Sequence, residues 1–127
     1  MLPEVLILDE PTAGLDPVGR AGVLEMIDNY RRQTGATVII VTHSMDIVAQ
    51  IADRILVMNK GELAFNGSVS EIFTHSRELA QMGLDVPVAT RIMLLLREKG
   101  LEISSDIYTL EDAAKELCNF LEREGKL

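Results

Sequence analysis

Apolar positions along the chain follow one rhythm up to about Gly67 and another after it. In the first part short continuous runs alternate with helical patterns. Val5-Leu6-Ile7-Leu8 and Thr37-Val38-Ile39-Ile40-Val41 are runs of the type that parallel sheets bury on both faces. Between them Asp16-Pro17 reads as an N-cap with proline at the first helical position. Val23, Leu24, Ile27 and Tyr30 follow on one helical face, and Gly35 is a stop. Strand, helix and strand in that order predict a right-handed βαβ unit. Ser44 opens a short helix through Ile47, Val48 and Ile51. Arg54 to Met58 reads as a further strand, and Asn59-Lys60-Gly61 turns it into Glu62 to Phe65 as a hairpin.

After Gly67 the pattern is helical. Ser68-Val69-Ser70-Glu71 has capping-box spacing, and a second short helix lies around Arg77 to Met82. Asp85-Val86-Pro87 introduces a longer helix through Ile92, Leu95 and Leu96 to Gly100. Thr109 introduces the last one, on which Leu110, Ala113, Ala114, Leu117, Phe120 and Leu121 form an apolar stripe that Gly125 ends. His75, between two short helices, reads as solvated, and Cys118, beside the stripe, as a small packed side chain.

Composition narrows the function classes. The 127 residues carry 12 Lys and Arg against 20 Asp and Glu, a net charge of −8, which disfavours a bulk electrostatic grip on nucleic acid or anionic lipid. The acidic excess is the same before and after Gly67, so charge marks no boundary. The longest apolar run, Ile92 to Leu96, is far below the roughly 20 residues that span a bilayer. The first residues show no basic segment followed by an apolar stretch. With one cysteine, neither an internal disulfide nor a cysteine-based zinc site is available, and a reducing, cytoplasmic setting is the expectation.

The chemistry gathers where the first two predicted strands end. Asp9-Glu10 closes the first strand, at the edge where open α/β sheets bind ligands. Asp9 offers a hard oxygen of the kind Mg²⁺ takes, while Glu10 points to the other side of the chain, placed to orient a water. An acidic pair there equally serves as a solvated strand end, and Asp16 is a good N-cap whatever else it does. The second strand ends in Val41-Thr42-His43-Ser44, which brings His43 to the edge that holds Glu10, because adjacent parallel strands share their carboxyl ends.

Leu6-Ile7-Leu8-Asp9-Glu10-Pro11-Thr12-Ala13-Gly14-Leu15-Asp16-Pro17, with Thr42-His43-Ser44, resembles the Walker B, D-loop and switch-histidine segments of ABC-type ATPases. The resemblance implies a fold: α/β, a partial P-loop NTPase (RecA-like) parallel sheet with the βαβ unit and a terminal hairpin over residues 1–67, followed by an all-helical carboxyl-terminal extension over 68–127. It also implies roles. Asp9 would hold Mg²⁺ through water, Glu10 would polarise the attacking water, and His43 would contact the γ-phosphate. Gly14 and Asp16 would belong to the loop that reaches a partner subunit's phosphate site.

No Gly-x-x-x-x-Gly-Lys-Ser/Thr and no Leu-Ser-Gly-Gly-Gln-like stretch occurs in the sequence. The chain therefore resembles the carboxyl-terminal half of such an ATPase, with Met1 as an internal methionine, and is expected to be inactive alone. In the family the phosphate-loop strand lies between the strands ending at Val41 and at Met58. Without it those two strands either pair directly or leave edges through which two copies associate.

Gly83-Leu84-Asp85-Val86-Pro87-Val88-Ala89-Thr90, with Leu94-Leu95-Leu96-Arg97 and Gly100-Leu101, resembles the extension of ATP-binding subunits of energy-coupling factor transporters, importers of vitamins and transition-metal ions. That implies ATP and Mg²⁺ as ligands of the complete ATPase. It implies a second ATPase subunit, a transmembrane coupling subunit and a substrate-binding membrane component as partners, with no nucleic acid. It places the protein peripherally on the cytoplasmic face of the membrane. A non-catalytic interaction module and a soluble ABC ATPase of another process are the alternatives.

Overall fold

A computed structural model describes residues 2–127. By compactness the chain divides into two units, Met1–Ser44 and Met45–Leu127. This division falls earlier than the change of apolar rhythm at Gly67.

In the first unit β1 (Val5–Asp9) and β2 (Thr37–Val41) pair in parallel, from Val5 opposite Thr37 to Asp9 opposite Val41. They are joined by α1 (Pro17–Thr34), which packs on β2. The helix begins as its sequence dictates, with the Asp16 carboxylate accepting the Gly19 N–H at 2.7 Å and Pro17 at the first position. It ends at Gly35, whose φ of 68° is the left-handed conformation that a side chain disfavours, and whose N–H reaches Arg31 O at 2.9 Å. Leu6, Leu8, Val38 and Ile40 are half-buried on one sheet face. The other face, with Val5, Ile7, Ile39 and Val41, is exposed, Ile7 to 65%. The expectation of burial on both faces is corrected here, because among the described residues nothing in this unit covers the second face.

The second unit opens with α2 (Met45–Ile51), directly after Ser44. The hairpin β3 (Ile55–Asn59) and β4 (Glu62–Gly67) turns through Lys60 and Gly61, both at positive φ, as a two-residue turn matched to strand twist requires. The ladder shifts register between Val57 and Met58, so that Phe65 pairs with Val57 and Leu63 with Met58. β3 starts one residue later than the sequence predicts, while Arg54 ties to Asn66 by a 2.7 Å side-chain hydrogen bond.

The helices α3 (Val69–Phe73) and α4 (Ser76–Gln81) then return to the hairpin. The capping box forms in full: Ser68 Oγ accepts from Glu71 N–H, and Glu71 accepts from Ser68 N–H at 2.7 Å. Ile55 and Val57 share a core with Ile72, Phe73 and Leu79. Gly67 is thus a change of pattern inside one packed body. His75 is not merely solvated. Its ring stacks on Phe65 at 4.6 Å, because the turn between α3 and α4 brings it over β4.

A second core joins α5 (Val88–Glu98) to α6 (Leu110–Arg123) through Ala89, Met93, Ile103 and Ala113, with Leu117 and Phe120 packed on it. The Thr90 hydroxyl donates to Ile107 O at 2.6 Å and ties α5 to the segment before α6. Thr109 caps α6 as expected, its hydroxyl oxygen accepting the Asp112 N–H. The apolar stripe of α6 is only partly used. Contact follows the row Ala113, Leu117 and Phe120, while Leu110 and Ala114, one row across, are exposed. Cys118 is also exposed, correcting the expectation that it packs.

Candidate functional site

β1 delivers Asp9 as its last residue, paired with Val41 and exposed to solvent. Continued strand geometry would send Glu10 to the opposite face. The chain instead turns at Glu10, whose φ of 44° is left-handed and uncommon for a residue with a side chain. The Glu10 N–H still donates to Val41 O at 2.8 Å, so the ladder holds up to the point where the chain leaves it. A tight loop follows. Ala13 N–H donates to Glu10 O, Leu15 N–H donates to Thr12 O, and Gly14 takes a φ of 74° for which glycine is suited. The loop ends at Asp16, whose carboxylate is occupied in capping α1.

From this position the Glu10 carboxylate reaches the end of β2. Its Oε1 accepts the His43 backbone N–H at 3.0 Å and lies 2.6 Å from His43 Nδ1, while its Oε2 accepts the Thr42 hydroxyl at 3.1 Å. These donors, led by the His43 side chain, hold the Glu10 carboxyl below the usual carboxylate range, although its partial burial acts the other way. An ionised Glu10 only accepts, so the proton on the short contact belongs to Nδ1. The ring is otherwise open, with the His43 side chain 84% exposed.

The structure therefore brings together two of the residues singled out from sequence, Glu10 and His43, and sets Asp9 beside them at the carboxyl end of the parallel pair. Gly14 and Asp16 lie on the loop leading away, and neither bonds to Glu10 or His43. Thr42, to which the sequence reading gives no role, is a direct partner of Glu10. Its signal was a hydroxyl at the first position past an apolar strand, too common to stand out. Among the described residues no group of three or more His, Cys, Asp or Glu is arranged to hold a metal ion. Asp9 offers one hard carboxylate, which fits an ion carried largely by phosphates and water, the usual state of Mg²⁺.

Residues 1–49 match the family described as an AAA domain, putative AbiEii toxin, Type IV TA system. Over longer stretches the chain is similar to energy-coupling factor transporter ATP-binding proteins named EcfA2. It is 46% identical to that of Clostridium perfringens over 95% of the chain and 42% of the relative. It is 49% identical to that of Clostridium tetani over 98% of the chain and 43% of the relative. For that of Clostridioides difficile the identity is 44%, over 98% of the chain and 44% of the relative. The chain thus spans less than half the length of the curated relatives it matches. The solved structure of cbiO1 from Clostridium perfringens, part of the ABC transporter complex cbiONQ, superposes with a TM-score of 0.55 at 36% identity. It covers 75% of this chain and 37% of that one. The fold is accordingly α/β, a fragment of a P-loop NTPase fold with a small parallel sheet.

Proposed function

From its 46% and 49% identity, along nearly its whole length, to ATP-binding proteins of energy-coupling factor transporters, we propose that the chain supplies part of an ABC-type ATPase energising import. The contact between Glu10 and His43 at 2.6 Å, at the carboxyl end of a parallel strand pair, carries this reading. Glu10, ionised and fixed by three donors, orients and polarises the attacking water. His43 supports Glu10 through Nδ1 and leaves Nε2 for the γ-phosphate. Only the doubly protonated ring donates from both nitrogens, so a hydrogen bond from Nε2 to phosphate accompanies the cationic form. Asp9 would hold Mg²⁺, which neutralises charge on the phosphoryl oxygens when bound. Gly14 and Asp16 shape the loop that reaches the phosphate site of a second ATPase subunit.

The remaining partners on this reading are a transmembrane coupling subunit and a substrate-binding membrane component, at the cytoplasmic face. Among the described residues no helix is long and apolar enough to cross a membrane. Which solute is carried rests with the membrane component.

In the complete ATPase, Glu10→Gln removes the water-polarising carboxylate and leaves the phosphate cradle alone. Hydrolysis should fall to background while ATP binding persists, as measured by phosphate release and by nucleotide titration. Hydrolysis by that variant at the wild-type rate would overturn the assignment. The 127-residue chain by itself, without a Gly-x-x-x-x-Gly-Lys-Ser/Thr loop, should not bind Mg-ATP tightly. Micromolar binding in titration calorimetry would show that affinity resides elsewhere in the fold.

A further inference from the structure

The carboxylate of Glu10 is held at both oxygens, and the two holds differ in kind. Oε1 takes both of its donors from His43, the backbone N–H at 3.0 Å and Nδ1 at 2.6 Å. Oε2 takes one, the Thr42 hydroxyl at 3.1 Å. With Oε1 alone held, the carboxylate would pivot about that atom, because the terminal torsion of a glutamate is broad and roughly two-fold. The Thr42 contact removes the pivot.

Thr42 is equipped for this. Its oxygen accepts the Ser44 N–H at 3.1 Å, which leaves its own proton directed to Glu10. Its branched Cβ restricts the side-chain torsion. The result is a short relay in which Ser44 N–H donates to Thr42 Oγ1 and Thr42 Oγ1–H donates to Glu10 Oε2. The backbone after β2 thereby sets the plane of the Glu10 carboxylate. Glu10 comes to this relay from a left-handed backbone position, φ 44°, one residue past the end of β1. Its side chain is thus placed by the turn at one end and by the relay at the other.

We propose that Thr42 is a positioning residue that fixes the orientation of the Glu10 carboxylate through this hydroxyl relay. The proposal rests on the reading of Glu10 as the water-polarising group, and it makes the hydroxyl, rather than the size or the methyl group of Thr42, the required feature. Thr42→Val keeps the shape and loses both the donor and the acceptor. Thr42→Ser keeps the hydroxyl and loses the methyl group.

The test has two readouts. In the 127-residue chain, the backbone amide proton of His43 reports the hydrogen bond to the Glu10 carboxylate by nuclear magnetic resonance. Thr42→Val should move that proton upfield and broaden it, and Thr42→Ser should keep it near its wild-type position. In the complete ATPase, Thr42→Val should lower kcat about tenfold, the order expected for one orienting hydrogen bond to a charged group, with KM for ATP within about twofold. Thr42→Ser should recover most of that loss.

A His43 amide and a kcat unchanged in Thr42→Val would overturn the proposal. So would a raised KM with kcat intact, which would make Thr42 a binding residue, or a Thr42→Ser variant as impaired as Thr42→Val. If Thr42→Val does not fold, Thr42→Ala is read by the same measures. If the amide responds as expected but Glu10→Gln still hydrolyses ATP, the relay stands and the catalytic reading of Glu10 falls.

Discussion

The two units of this chain divide chemistry from packing. Among the described residues the first unit buries Leu24 and Ala36 as apolar side chains. The second assembles one core from Ile55, Val57, Ile72, Phe73 and Leu79 and another from Ala89, Met93, Ile103 and Ala113. Yet Asp9, Glu10, Thr42 and His43 all belong to the first unit. A parallel strand pair places carboxylate and imidazole side by side at one edge with few residues, because register alone does so. It does not by itself bury much apolar surface, and here one face of the pair is bare. The second unit sets His75 only loosely against Glu78, at 3.7 Å, and places its residues in the two cores instead.

Single substitutions should expose this difference, beginning with the cores. Met93 is fully buried between α5 and α6, and Met93→Ala should cost about 2–5 kcal/mol in chemical denaturation. Ile7, on the bare sheet face, should tolerate Ile7→Ala at a cost within about 0.5 kcal/mol. Equal costs for the two would erase the contrast between the units.

The next effect lies in the first unit, where local capping stands in for a core. Asp16→Ala removes the acceptor for Gly19 N–H and should cost about 1 kcal/mol. Amide exchange should quicken first in the opening turn of α1. Uniform protection of α1 in that variant would mean that its packing on β2 outweighs its cap.

The smallest effect is pH-dependent and belongs to the second unit. The Ser68 backbone N–H, with the Ser68 hydroxyl after it, holds the Glu71 carboxyl below its ordinary value of 4.5. A group whose folded pKa is depressed stabilises the fold above its unfolded pKa, and that contribution is lost as pH falls through the folded value. Acidification from pH 5 downward should therefore loosen the start of α3, seen as upfield movement of the Ser68 amide proton. Glu71→Gln should flatten that response, and an unaltered response would assign it to another carboxylate.

Much of the fold was legible wherever the determining partners are neighbours in the chain. Asp16-Pro17 and Gly35 mark the ends of α1, Ser68 with Glu71 forms the capping box, and Lys60-Gly61 makes the hairpin turn, each through hydrogen bonds or dihedral preferences spanning a few residues. The pairing of β1 with β2 was also legible, since the connecting helix leaves a right-handed crossover as the favoured route. Burial was not. Alternation shows which side chains share a face but not whether anything lies against it, so Ile7 and Val41 read as core and are exposed. The α6 stripe is wider than the contact α5 offers, which leaves Leu110 outside. His75 gives no local sign that Phe65 lies beneath its ring.

The site divides along the same line. The sequence by itself determined that Asp9 and Glu10 end one strand and that Thr42 and His43 follow another. Those positions depend on propensities and turns acting over a handful of residues. Only the tertiary structure decided that Glu10 leaves the strand in a left-handed conformation and closes hydrogen bonds to residues 32 and 33 positions away. The strand register that brings the two ends level, and the directional hydrogen bonds that then choose among side-chain orientations, exist only once both strands are paired.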